Sequence, residues 1–162
     1  TLGEWQGKTL TLCVGGNNAQ FEMTRKDAQH LVELVRASDA QKIFITVSRR
    51  TPDLVKQYLQ TALPSAQLFD PEKARANPYF AYLALSDDII VTGDSLAMCF
   101  EAASTGKSVQ VYAPLERLSE KHQRALTSLA DVENVQVTGV DSKVSRPYQN
   151  PALDIAACIR GL

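Results

Sequence analysis

The residues with the most chemistry to offer lie between Gly93 and Lys107. Asp94 and Ser95 stand where a helix is predicted to open, and Glu101 follows Asp94 by seven residues, two turns along the same face. The helix around it, Leu96-Ala97-Met98-Cys99-Phe100-Glu101-Ala102-Ala103, is apolar almost all round, which predicts a largely buried carboxylate. A buried carboxylate needs a partner. Aimed at a strand-end crevice, Glu101 could accept hydrogen bonds from two ribose hydroxyls; an outward-facing solvated glutamate is the plain alternative. For Asp94-Ser95 the plain alternative is a simple helix N-cap.

Three other segments offer complementary chemistry. In Gly15-Gly16-Asn17-Asn18 the paired glycines let a backbone approach a ligand and expose its N–H groups, although the third glycine of a dinucleotide fingerprint is missing. In Ser48-Arg49-Arg50-Thr51 two arginines precede a predicted helix start, where N–H groups and the helix dipole favour an anion. Arginine also grips phosphate oxygens in bidentate fashion; two solvated arginines are the alternative. Asp70 follows a brief strand ending at Phe69.

Other chemistries are excluded. Thr105-Gly106-Lys107-Ser108 resembles the tail of a phosphate-binding P-loop, but Glu101 stands where its first glycine belongs, and the context is helix-to-strand instead of strand-to-helix. Cys13, Cys99 and Cys158 are odd in number, widely spaced and set in apolar stretches, which predicts reduced, buried thiols. His30 and His122 have no second ligand at metal spacing, so no metal is expected. His30 is predicted at a solvated helix edge and His122 packed on a helix with Leu118, Leu126 and Leu129. Both are expected to lie away from the four polar loops.

Those loops need a scaffold that gathers them. Apolar runs at Lys8–Val14, Lys42–Val47, Gln67–Phe69, Asp88–Thr92, Ser108–Tyr112 and Val135–Val137 read as six strands. Helical spacing occupies the intervals: Thr24–Ser38, Thr51–Leu63 with Pro52 in its first turn, Pro78–Leu85, Asp94–Thr105 ending at Gly106, and Ser119–Ala130. Thr24 and Asp27 form an N-cap pattern. Arg146 to Pro151 reads as a stiff linker before a final helix at Asp154–Ile159. Alternating strands and helices predict a three-layer α/β/α, Rossmann-like, doubly wound parallel sheet of about six strands with right-handed crossovers. Ligands of such sheets bind at the carboxyl ends of the strands, where the strand order reverses, which is where the four loops fall.

The 162 residues are one domain's worth, and 44% hydrophobic with 22% charged is ordinary for a globular chain. Net charge is −1, which argues against a nucleic-acid or anionic-membrane coat, and no apolar run approaches a membrane span. The chain opens on Thr1 without a signal-peptide pattern and is expected to be a piece of a longer, cytoplasmic bacterial protein.

Several blocks together resemble the mitochondrial fission ELM1-like family: Gly15-Gly16-Asn17-Asn18, Thr46-Val47-Ser48-Arg49-Arg50-Thr51-Pro52, Asn77-Pro78-Tyr79-Phe80-Ala81-Tyr82-Leu83-Ala84, and Val91-Thr92-Gly93-Asp94-Ser95 through Glu101 to Gly106-Lys107. Bacterial members carry the description nucleoside-diphosphate-sugar epimerase. The last block is also similar to non-hydrolysing UDP-N-acetylglucosamine 2-epimerases and other GT-B proteins, in which Asp-Ser opens a helix under the diphosphate and a glutamate two turns on holds the ribose. Asp94, Ser95 and Glu101 match those positions. Leu96 and Ala97 depart from the two glycines of that pattern, and Ser108 from its proline, which shifts expected phosphate contact toward Gly15-Gly16 and Arg49-Arg50.

The resemblance implies the C-terminal, nucleotide-sugar-binding half of a metal-independent GT-B glycosyltransferase or epimerase-like protein. The ligand would be a nucleoside diphosphate or its sugar, with no further cofactor. The acceptor-binding N-terminal domain would lie outside this chain, so the piece would not turn over alone. Plant relatives are associated with mitochondrial division, which equally fits a non-catalytic GT-B-derived scaffold.

Overall fold

Strand and helix signals of this clarity should give an open α/β sheet, and the computed structural model, which describes residues 6–142 and 144–149, has one. Six parallel strands run β1 (Thr9–Val14), β2 (Lys42–Val47), β3 (Gln67–Phe69), β4 (Asp88–Thr92), β5 (Ser108–Tyr112) and β6 (Val135–Val137). Their order is β3-β2-β1-β4-β5-β6, so the direction of winding reverses between β1 and β4. Leu10 pairs with Asp88 and Cys13 with Val91 across that seam. Every residue of β1 is buried, as expected for a central strand covered on both faces.

The helices are α1 (Arg25–Ala37), α2 (Asp53–Ala62), α3 (Tyr79–Leu85), α4 (Leu96–Ser104) and α5 (Glu120–Leu129). α1 packs against α2 and α4 against α5, and right-handed crossovers put the two pairs on opposite faces of the sheet. α1 opens with a full capping box: the Thr24 hydroxyl accepts from the Asp27 N–H, and the Asp27 carboxylate accepts from the Thr24 N–H at 2.7 Å. Its apolar stripe, Ala28, Leu31, Val32 and Val35, faces the core. α4 stops at Gly106, whose φ of 71° favours glycine. Lys107 then donates from Nζ to the Leu83 carbonyl at 2.7 Å, closing the C-terminus of α3. The Gly-Lys pair therefore caps helices instead of holding phosphate.

Five of the six predicted strands keep their limits, and β1 loses only Lys8. The helices are shorter at their ends than the periodicity implied. Pro52 and Pro78 are N-caps, not first-turn residues, and α4 begins at Leu96 because Asp94 and Ser95 belong to the turn after β4. A 3₁₀ turn at Leu115–Arg117 has no counterpart in the sequence reading. Of the expected linker, Arg146 is tied by its backbone to Asp131 and Glu133. The helix expected at Asp154–Ile159, and Cys158 with it, lie outside the described residues. Among the described residues no helix is long and apolar enough to cross a membrane.

Candidate functional site

The loops after β1, β2 and β4 meet at the winding reversal and lock one another. The Gly15 N–H donates to Thr92 Oγ1 at 2.7 Å, and the Gly16 N–H donates to Asp94 Oδ2 at 2.9 Å. The Gly15 carbonyl accepts from Ser48 Oγ at 3.0 Å and from the Thr51 hydroxyl. The Asn17 N–H donates to the Arg50 carbonyl at 3.0 Å. A β-carbon on Gly15 would stand 2.1 Å from Asp94 Oδ2, and one on Gly16 would stand 2.2 Å from the Arg50 backbone. Both glycines are thus required by the packing of loop on loop. This corrects the expectation that their N–H groups face a ligand: both are already bonded inside the protein.

Asn17 and Asn18 serve the same loop. Asn17 Oδ1 accepts from the Met23 N–H at 2.8 Å, and Asn18 Oδ1 accepts from the Gln20 and Phe21 N–H groups. Both are turn-building side chains.

Asp94 is 4% exposed, and its Oδ1 has no hydrogen-bond partner among the described residues. Burial pushes its carboxyl above the ordinary aspartate range, and the Gly16 N–H and the nearby charge of Arg50 only partly offset that. Ser95 is the N-cap residue of α4, but its side chain makes no capping bond. Arg49 and Arg50 are exposed and make no ion pair among the described residues, which leaves two guanidinium groups at the start of α2.

Glu101 is half-buried instead of largely buried, and it has a partner the sequence did not reveal: the Tyr79 hydroxyl donates to its Oε2 at 2.7 Å. Burial, reinforced by that carboxylate, holds the Tyr79 hydroxyl firmly protonated. One carboxylate oxygen is therefore engaged within the protein, and Oε1 has no hydrogen-bond partner among the described residues. Close by, a cavity of about 230 Å³ lies over the ends of β1 and β2, lined by Val14, Thr46, Val47, Pro71, Tyr79 and Met98 among others. Cys13 and Cys99 are buried free thiols, raised in pKa chiefly by burial, and they are inert.

Asp70 also has a partner across the loops. Lys56, almost wholly buried on α2, reaches Asp70 Oδ2 at 3.2 Å and Glu72 Oε2 at 3.0 Å. Burial alone would lower the lysine and raise the aspartate, yet their mutual attraction and hydrogen bonds move both the other way. A lysine between Val55 and Leu59 on the buried stripe was the available signal.

His122 corrects the expectation that both histidines lie away from the four polar loops. His122 Nε2 donates to the Asp94 carbonyl at 3.0 Å, so it braces the loop after β4. A carbonyl only accepts, which places the proton on Nε2 and leaves Nδ1 to accept from the Ser119 hydroxyl at 2.8 Å. His30 lies 3.2 Å from the hydroxyl of Tyr112, the last residue of β5, and so also borders the strand-end edge. Phe80 and Leu54, at 69% and 54% exposure, add apolar surface at the starts of α3 and α2. Among the described residues no group of three or more acidic, histidine or cysteine side chains is placed to hold a metal.

Four likenesses bear on this arrangement. The family model described as mitochondrial fission ELM1 matches residues 1–160. The uncharacterized protein RP120 of Rickettsia prowazekii (strain Madrid E) is 32% identical over 158 residues, covering 91% of this chain and 44% of that protein. Mitochondrial fission protein ELM1 of Arabidopsis thaliana is 37% identical over 70 residues, covering 41% of this chain and 16% of that protein. The chain thus spans less than half the length of these curated relatives. Among solved structures, the FMN-dependent cysteine decarboxylase TvaF from thioviridamide biosynthesis aligns over 95% of this chain and 96% of its own, with a TM-score of 0.53 at 14% identity, a likeness of fold alone.

Proposed function

The chain belongs to the mitochondrial fission ELM1 family, and from that premise we propose that it is the nucleoside-diphosphate-binding domain of a GT-B-like, cytoplasmic protein. The observation that carries the reading is the β1/β4 edge itself. The loop carrying Arg49 and Arg50, which make no ion pair among the described residues, is bonded there to the loop after β1, α4 opens beside them, and Tyr79 joins Glu101 to the lining of a small cavity.

The roles follow from the chemistry. Arg49 and Arg50 would take diphosphate oxygens, with Ser95 and the first N–H groups of α4 opposite them. Gly15 and Gly16 contribute by letting the loops close, not by direct contact. Glu101 would accept from ribose through Oε1, oriented by Tyr79. The cavity is below the usual 300–1,000 Å³ of a ligand pocket, so it suits one ring of a nucleotide sugar and not the whole molecule. The exposed Phe80 and Leu54 would meet the acceptor-binding part of the longer protein. That part would orient the acceptor, an effect worth ~7–11 kcal/mol, so this chain alone should turn over no glycosyl donor.

One observation favours a second reading, a scaffold that kept the fold and lost its ligand: the Gly15 and Gly16 N–H groups are bonded internally, and Leu96 and Ala97 fill the helix start. Thermal unfolding with UDP, ADP, GDP, CDP and their sugars separates the two. A ligand at ~100 times its Kd adds ~2.7 kcal/mol of stability. No shift with any of them at millimolar concentration would leave the scaffold reading.

A further inference from the structure

A second cavity, of about 600 Å³, opens between α1 and the loops that follow β5 and β6. Its size falls within the range of small-molecule sites. Leu34, Ala113, Pro114 and Leu115 give it an apolar wall, and His30, Tyr112, Glu33 and Glu116 supply its polar groups.

The chemistry of His30 is set from beneath. Asp27 is 1% exposed and accepts from Arg117 Nη1 at 2.7 Å, Arg117 Nη2 at 2.9 Å and the Tyr112 hydroxyl at 2.7 Å. Burial would raise the Asp27 carboxyl, but Arg117, Thr24 and Tyr112 together outweigh it and hold the pKa at about 2. Asp27 is therefore a carboxylate that only accepts. The single Tyr112 proton goes to it, so the Tyr112 oxygen can only accept from His30 Nδ1, 3.2 Å away. That fixes the Nδ1–H tautomer. In the neutral imidazole Nε2 is then the acceptor, on a side chain that lines the cavity and with no partner for Nε2 among the described residues.

The charges at the rim are of one sign. Among the described residues Glu33 and Glu116 are exposed and make no ion pair, and no lysine or arginine lines the cavity. Arg117 is already bound to Asp27 and the Glu22 carbonyl. A phosphate would be repelled here, so this cavity is not an extension of the nucleotide crevice.

We propose that this cavity binds an organic ammonium ion with an apolar body. Its N–H donates to His30 Nε2, its charge lies between Glu33 and Glu116, and its hydrocarbon part rests on Leu34, Pro114 and Leu115.

The test uses benzylamine as the probe and benzyl alcohol as its neutral counterpart, titrated into the 162-residue chain while imidazole and methyl resonances are followed by ¹H–¹³C NMR. Benzylamine should shift His30, Leu34 and Leu115 saturably, and bind about five- to tenfold more tightly than the alcohol. A Glu33→Gln/Glu116→Gln variant, altered only at exposed positions, should lose that preference while its melting temperature and its response to nucleoside diphosphates stay unchanged. Absence of saturable shifts at these residues would overturn the proposal. So would equal affinity for amine and alcohol, or an amine preference that survives in the double variant.

Discussion

Replacing Gly15 with alanine tests whether the strand-end loops are held by Asp94. Gly15 does not have a positive φ, so its backbone accepts alanine, and the difficulty is one of space. The new methyl would lie 2.1 Å from Asp94 Oδ2 and 2.7 Å from Cγ, with Oδ1 at 2.8 Å. The carboxylate must retreat by more than an ångström, which breaks its bond from the Gly16 N–H. A bond to a charged group is worth ~1.5–3 kcal/mol, and overpacking adds ~1–3, so Gly15→Ala should cost about 2.5–6 kcal/mol. Asp94→Ala removes the same bond but also a buried carboxyl with an unpartnered oxygen, and should cost only about 1 kcal/mol. Once Asp94 is alanine the clash is gone, and Gly15→Ala should then cost less than ~1 kcal/mol or stabilise. The coupling expected in the cycle is at least ~1.5 kcal/mol. Asp94→Asn preserves the bulk and should not rescue. Urea midpoints at constant m-value measure all six proteins, the parent, the three single variants and Gly15→Ala combined with each Asp94 variant. Additivity within ~0.5 kcal/mol, or rescue by asparagine equal to that by alanine, would refute the argument.

Other consequences are as direct. Lys56→Met leaves Asp70 buried without its cation and should destabilise by about 3 kcal/mol, with Asp70→Asn recovering part of the loss in the same urea assay. Asp27 titrates at about 2 in the folded protein, below its unfolded value of ~3.9, so its stabilisation is complete above that value and lost as pH falls toward 2. Urea midpoints between pH 5 and 2.5 should fall less steeply in Arg117→Met than in the parent. Glu101→Gln should weaken the best-binding nucleoside diphosphate by ~1.5–3 kcal/mol in calorimetry without changing the melting temperature, and unaltered binding would make Glu101 structural. Tyr79→Phe frees Oε2 and should weaken the same ligand less than Glu101→Gln does, by a few-fold, through lost orientation.

What the sequence made legible was local. The Thr24–Asp27 capping box, the stop at Gly106 and the strand limits from Lys42 to Val137 depend on neighbours three or four residues away, and periodicity records them. The parallel sheet followed from the alternation of strands and helices, and that put the four loops at one edge; the strand order, with its reversal between β1 and β4, is read from the structure. What stayed hidden depends on partners far along the chain. Tyr79 meets Glu101 across 22 residues, His122 meets Asp94 across 28, and Arg117 meets Asp27 across 90. Glu101 is half-buried where an almost wholly apolar helix predicts more, and its partner Tyr79 comes from another helix. The glycines misled for a related reason: a close approach was correctly expected, but the body approaching is Asp94 and the Arg50 backbone, not a ligand.

The seam between β1 and β4 also governs how this chain is made. Its partners stand 78 residues apart, so β1 must wait for β4 while β2, 33 residues on, is already at hand. During synthesis at ~5–20 residues per second, the interval between the end of β3 at Phe69 and the end of β4 at Thr92 lasts roughly one to five seconds. For that time a nascent three-stranded half-sheet carries a strand destined for full burial with one bare edge, the kind of template on which other chains pair. Slowing the ribosome while β3 has emerged and β4 is still within the exit tunnel should therefore raise the aggregated fraction of newly made protein, while the same pause placed once β4 has emerged and the seam is closed should not.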